Sequence, residues 1–393
     1  MVTNNKFNIN QIKLTVPEYS NNKHNPSSAK TINEINELEL IKEIKELNKT
    51  KTLLNKRNFQ NKDLVFFGMG GSSLGIKTII ESLSKQDNFK KKVFLVDNLD
   101  GEYFDKVFND INIRSTNFVF ISKSGSTFEI KKLLKETVKK LVSKSIRISS
   151  SIFFITENNN GYLNKFGKKE GIYTFYINPD IGGRFSVLSK SSLIPCQMMS
   201  IDWKRIIKGA LNSYEIILKS RFVPINCLAN FYYKNLNKGK TNTGIMSYKN
   251  NMEYFGEWFM QLWGESLGKV SANRVSTGLT PIRYLGPKDQ HSQMQLILDG
   301  PKDKTLTVLS IKNYKKGNPE LNKSVLKEKN ATIKALDSKR IPYVEIEINR
   351  LNEESLGALL IILQLTTLIL AKKMKVNPFD QPAVELIKRN LNI

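Results

Sequence analysis

Leu64–Gly75 reads LVFFGMGGSSLG, and this stretch decides the fold. Leu64 to Phe67 are continuously apolar and β-favouring, the pattern of a strand buried on both faces. Glycines at 68, 70 and 71 then permit a tight turn. The periodicity of Ile76–Ser84 predicts a helix directly afterwards. Working outward, Val93–Asp97 (VFLVD), Phe118–Ser122 (FVFIS), Ile152–Thr156 (IFFIT) and Tyr173–Ile177 repeat the short apolar string, with a helical pattern at Phe128–Val142. Short buried strands alternating with helices predict a parallel sheet covered on both faces.

A second α/β set follows residue 200, with strands expected at Thr243–Ser247, Leu306–Ile311 and Tyr343–Ile348 and long helices at Glu253–Gly268 and Glu354–Lys373. The fold class expected is therefore α/β: two doubly wound parallel-sheet domains in tandem plus a helical C-terminal segment, with ligands at the carboxyl ends of the strands. The division expected is a loose, polar, Asn-rich arm over 1–30, a first α/β domain over 31–195 that opens with helical periodicity through Ile32–Leu54, a second over 196–374, and a tail over 375–393.

Composition narrows the classes. With 393 residues, 40% of them hydrophobic and 25% charged, the chain is globular and long enough for two cores. Its net charge of +25 comes from dispersed lysines, with no basic arm interleaved with aromatics, so no nucleic-acid partner is expected. A positive field still favours small phosphorylated ligands. Cys196 and Cys227 form no CxxC, which points to a reducing, cytoplasmic setting without disulfide framework or zinc site. The N-terminal MVTNNKFNINQIKL lacks the apolar core of a signal peptide. The run Gly357–Ala371 falls short of the roughly 20 residues that span a bilayer. It also holds Gln364 and two threonines, so it is read as a buried helix, with no membrane partner.

Two turns at strand ends suit an anion. GMGGSSLG presents backbone N–H groups at a helix start. It fails as a dinucleotide fingerprint, because Ser73 stands where a third glycine belongs, and as a P-loop, because Ile76 separates Gly75 from Lys77; Asp97 keeps a nucleotide reading open. Ser122-Lys123-Ser124-Gly125-Ser126-Thr127 repeats the situation with four hydroxyls, more than one N-cap requires. Together they predict a shared phosphate pocket. Arg184, after Gly182 and Gly183, suits either an approaching anion or a surface ion pair.

In Glu253–Lys269 (EYFGEWFMQLWGESLGK) helical spacing places Trp258, Gln261 and Glu265 on one face and Phe255, Phe259 and Leu262 toward the core. Gly268 and Lys269 are expected to end it with left-handed backbone and a cation. Of two histidines, His24 lies in a polar segment; His291, in a loop over Gly286–Gln295, is the candidate for acid/base work, with a structural role as the competing reading. Lys388 near the C-terminus reads by itself as a solvated helix-end cation.

With the blocks GMGGSSLG, SKSGST, GGRFS, WFMQLWGESLGK, DQHS and NPFDQPAVELIK in this order, the chain resembles the glucose-6-phosphate isomerase family, over about residues 68 to 388. Ala383 departs from a glycine usual in the last block. The resemblance implies two SIS-type, flavodoxin-like domains and the interconversion of glucose 6-phosphate and fructose 6-phosphate without metal or cofactor. It implies that Gly71, Ser72, Ser122, Lys123, Ser124 and Thr127 hold the sugar phosphate and that Gln261 binds substrate beside Glu265, the base between C2 and C1. Arg184 is implied to stabilise the enediolate, and His291 with Lys388 to assist ring opening, the histidine reaching across a homodimer. A non-catalytic sugar-phosphate sensor, or an isomerase also accepting mannose 6-phosphate, are the alternatives.

Overall fold

The computed structural model describes residues 4–18, 26–54, 59, 62–83, 91–314 and 317–390. The chain divides into two compact units, one of residues 49–80, 84–203 and 386–393, the other of 1–48, 81–83 and 204–385.

The unit containing Leu64–Gly75 is built on a five-stranded, all-parallel sheet. Its order is Val93–Val96, Asp63–Gly68, Thr116–Ile121, Ile152–Glu157, Tyr173–Ile177. Every residue of Thr116–Ile121 is buried, as an unbroken apolar run requires when helices cover both faces. Much of the core is aromatic: Phe67 stacks on Phe120 at 4.3 Å between ring centres, and Phe108 on Phe118 at 5.4 Å. In strand order this is 2-1-3-4-5, so the direction of winding reverses between Asp63–Gly68 and Thr116–Ile121. At such a switch point the two connections leave in opposite directions and open a crevice. The turns after Gly68 and after Ile121 are the two that flank it.

The other unit carries a six-stranded mixed sheet, ordered Asn4–Ile9, Ile12–Pro17, Tyr343–Ile348, Lys304–Ile311, Asn242–Ser247, Thr280–Leu285. The last four strands are parallel, and the first two form an antiparallel hairpin added to one edge. The hairpin corrects the expectation of a loose arm over 1–30. Ile12, Leu14 and Val16 alternate inward and are at most 1% exposed, while the polar residues between them face out. Polar composition here is that of an edge ribbon with one wet face, not of an irregular segment. The helices Ala29–Asn36 and Glu39–Lys49 also belong to this unit rather than with the first sheet.

Thr280–Leu285 is a strand absent from the sequence reading. Pro281 and Arg283 interrupt its apolar run, and an edge position tolerates both. The buried helix expected near Gly357–Ala371 extends over Glu353–Met374, 22 residues, which by length and hydropathy is enough to cross a membrane. It is packed inside the unit, 94% of its most apolar stretch being buried. Its start is fixed by a reciprocal cap in which the Asn352 side chain accepts the Ser355 N–H and Ser355 Oγ accepts the Asn352 N–H, at 2.9 Å each.

Candidate active site

The strand-end turns of the first unit are locked to one another. Gly71 begins the helix Gly71–Ser82, and a Cβ there would lie 2.3 Å from the carbonyl of Gly183, a distance no side chain tolerates. The close approach brings the GGRFS turn against the GGSS turn. Ser186 Oγ stitches them, donating to the carbonyl of Gly183 at 2.7 Å or of Gly71 at 3.2 Å. Arg184, in the short helix Gly183–Leu188, is 2% exposed, with its guanidinium 5.9 Å from the Phe185 ring centre. Its burial rejects the surface ion-pair reading. A guanidinium placed so deep keeps its charge and must be met by anions or acceptors.

The second turn is held from behind. Gly125 sits at φ 65°, left-handed backbone that glycine adopts without strain, and its carbonyl accepts the Leu163 N–H at 2.9 Å. Thr156 Oγ1 donates to the Lys123 carbonyl at 3.1 Å, and Asn159 Nδ2 to that of Ser124 at 3.0 Å. The Ser124 and Ser126 hydroxyl oxygens accept the N–H groups of Ser126 and Tyr162, which leaves each hydroxyl proton to be donated. Thr127 is the N-cap residue of Phe128–Ser143, yet its hydroxyl caps nothing; it pairs with Ser122 Oγ at 2.8 Å. Ser122 and Thr127 are thus presented together at the start of a helix, beside the switch point, in the chemistry that receives a phosphate oxygen. Asp97 is bound to Lys77 at 2.7 Å, which occupies the acid that a ribose would need.

In the second unit, Glu253–Leu267 packs on Thr280–Leu285 and on Glu353–Met374. Arg283 anchors its beginning through Glu253 at 2.7 Å. The expected face is there with one correction: Trp258 is 2% exposed, with its ring 5.4 Å from Phe255, and belongs to the core. It is three residues from Phe255 and four from Leu262, so core spacing claims it. The open face carries Glu257, Met260, Gln261, Gly264, Glu265 and Gly268. Gln261 Nε2 donates to Glu265 Oε1 at 2.8 Å, aiming the carboxylate. A cleft of about 590 Å³ opens beside it, lined among others by Gly268, Lys269, Thr277, Asp380 and Gln381. Gly268 ends the helix at φ −76°, not in the left-handed region expected; it is glycine because a Cβ would stand 2.9 Å from the Gly264 carbonyl.

His291 is not in a loop. It lies in the first turn of the helix Gln290–Asp299, exposed to solvent. Gln290 beside it is tied inward, its amide donating to the Tyr248 hydroxyl at 2.8 Å. His24 lies outside the described residues. Lys388 falls in the helix Val384–Asn390, its side chain outside the described set. Ala383, in the turn before that helix, does not have positive φ, so its backbone makes no demand for glycine. Gly71, Ser72, Ser122, Lys123, Ser124, Thr127 and Arg184 therefore share one unit, and Gln261, Glu265 and His291 the other. Thr277, Asp380 and Gln381 on the cleft carry no role in the sequence analysis, where Lys269 figures only as the cation that ends the helix. Among the described residues no cluster of His, Cys, Asp and Glu could hold a metal ion.

Fold and site together define a tandem doubly wound α/β protein with paired hydroxyls and a helix start at its switch point and an amide-oriented carboxylate on a cleft. The model of the phosphoglucose isomerase family matches residues 20–306. The glucose-6-phosphate isomerase of Campylobacter jejuni is 32% identical over 343 residues, 83% of this chain and 84% of its own. Among solved structures, a hypothetical protein of Thermus thermophilus superposes with TM-score 0.78 at 27% identity, covering 89% of this chain and 86% of its own. A glucose-6-phosphate isomerase of Chlamydia trachomatis does so at 0.75 and 20% identity, covering 93% and 74%. The chain belongs to the phosphoglucose isomerase family.

Proposed function

We propose that the protein catalyses the reversible isomerisation of glucose 6-phosphate and fructose 6-phosphate, as the names of its relatives state of them. The observation that carries this reading to the chemistry is Glu265, aimed by Gln261 onto a sugar-sized cleft. In the open-chain aldose the Glu265 carboxylate takes the proton from C2. The electron pair forms the C1–C2 double bond of an enediolate with its charge on O1; the O2 hydroxyl proton passes to O1, and the proton held by Glu265 returns to C1 as C2=O2 forms, giving the ketose. A positioned base of this kind is worth about 10²–10⁴-fold. The buried Arg184 guanidinium supports the negative charge that develops on oxygen. Ser122, Thr127 and the Gly71–Ser72 helix start, together with Lys123 and Ser124, hold the phosphate. His291 and Lys388 handle the ring-oxygen proton during opening. The exposure of His291 suits a histidine that works in a partner's site, so a homodimer is part of the reading, as is a cytoplasmic, glycolytic setting. The chemistry calls for no metal or organic cofactor.

The test is conversion of fructose 6-phosphate, followed through an NADP-linked glucose-6-phosphate dehydrogenase, for wild type and Glu265→Gln side by side. Turnover by wild type and none by the variant is expected, with sugar phosphate still raising the thermal midpoint of both. Turnover by the variant removes Glu265 as the base. No turnover by either, with protection retained, makes the protein a sugar-phosphate sensor. Mannose 6-phosphate in the same assay, with the appropriate coupling enzyme, decides the breadth of the substrate range.

A further inference from the structure

The wall of the cleft facing the Glu265 helix is a segment with no regular secondary structure of its own. Residues 376–383 run from the end of Glu353–Met374 to the C-terminal helix as bends and turns, and Asn377, Asp380, Gln381, Pro382 and Ala383 line the cleft. No ladder of backbone hydrogen bonds fixes such a strap in place. The Lys269 side chain grips it. Lys269 stands just beyond the end of the helix that carries Glu265 and lines the same cleft. Its backbone is fixed by pairing with Thr277 in the short ribbon Lys269–Val270 and Ser276–Thr277. Its side chain is only 7% exposed, and its ammonium donates to Asp380 Oδ1 at 2.7 Å and also to the Asp380 carbonyl. Asp380 Oδ2 in turn accepts from Asn377 Nδ2 at 3.1 Å, and Asn377 Oδ1 accepts the Phe379 N–H at 3.0 Å, closing an Asx turn.

We propose that Lys269 is a positioning residue for the isomerisation: its ammonium clamps the 376–383 strap through both the carboxylate and the carbonyl of Asp380, and so sets the distance between the Glu265 carboxylate and the opposite wall that carries Gln381. The inference rests on the reading of Glu265 as the base. Lys269 itself acts through Asp380 and not on the substrate. An exposed ion pair would serve stability weakly and interchangeably. This one is desolvated on its lysine side, spans 111 positions of sequence, and grips backbone as well as side chain, which are the properties of a device that holds geometry.

The experiment compares wild type, Lys269→Met, Lys269→Arg, Asp380→Asn and the Lys269→Met/Asp380→Asn double variant for fructose 6-phosphate kinetics and thermal midpoint, with Glu265→Gln in parallel. Because displacing a reacting group by about 1 Å can cost about a hundredfold, Lys269→Met should lose about 10- to 100-fold in kcat with KM changed less than about threefold. Lys269→Arg should regain most of that loss, and the double variant should be no worse than Lys269→Met, since both changes release the same clamp. Wild-type kcat in Lys269→Met, or losses that add in the double variant, overturn the proposal. Should Lys269→Met fail to fold, wild-type kcat in Asp380→Asn overturns it alone. Activity in Glu265→Gln instead removes the base assignment, whatever Lys269 does.

Discussion

At the scale of single residues, the hydroxyls of one turn make different hydrogen bonds. Ser122 and Thr127 hydroxyls meet at 2.8 Å, whereas Ser124 and Ser126 in the same turn hold backbone N–H groups. Ser122→Ala and Thr127→Ala remove hydroxyls that can turn toward phosphate in ground state and transition state alike. Each should therefore raise KM several-fold, by about 1–2 kcal/mol, and leave kcat near wild type. Steady-state kinetics on fructose 6-phosphate checks this; a fall in kcat alone would move the phosphate elsewhere. Six of the positions proposed for the phosphate turns and the base are legible in sequence because each belongs to a short motif: Gly71, Ser72, Ser122, Thr127, Gln261 and Glu265. Trp258 misled because three-and-four spacing fits two faces at once, and only packing against Phe255 says which one it serves.

At the scale of elements, the helix start at Gly71 depends on a backbone contact rather than on its own sequence. Gly71→Ala would drive a methyl group into the Gly183 carbonyl at 2.3 Å, and both are main chain, so neither can swing aside. The variant should lose about 1–3 kcal/mol of stability as the two turns separate. Activity should fall further than the thermal midpoint accounts for, because the Gly71 and Arg184 turns move apart. Thermal melting with kcat/KM on the same preparation checks it; an unshifted midpoint would mean that the turns are free to relax. Strands such as Leu64–Phe67 announced themselves by continuous apolarity, since burial on both faces leaves no room for polar residues. Thr280–Leu285 and the Asn4–Pro17 hairpin did not, because edge positions accept proline and one wet face.

At the scale of the whole molecule, segments more than 300 residues apart share one sheet: Ile12–Pro17 pairs with Tyr343–Ile348, with Leu14 opposite Ile346. Deleting residues 1–18 would uncover the edge of that strand and the helix surfaces of Val223–Leu236 and Glu353–Met374 against which Ile12–Pro17 packs. The truncated protein should melt several degrees lower and self-associate through the bared edge. Light scattering during thermal melting tests this, and an unchanged, monodisperse truncation would make the hairpin dispensable. By itself the sequence determined the fold class, most of the parallel strands, the two hydroxyl- and glycine-rich turns, and the Gln261–Glu265 pair, because each rests on local periodicity or on residues within a few positions of one another. Only the tertiary structure decided that the polar N-terminus is an edge ribbon, that the turn carrying the buried Arg184 abuts Gly71, and that Lys269 grips Asp380. Those facts depend on contacts across 100 residues or more, and no local pattern encodes which distant segment supplies the partner.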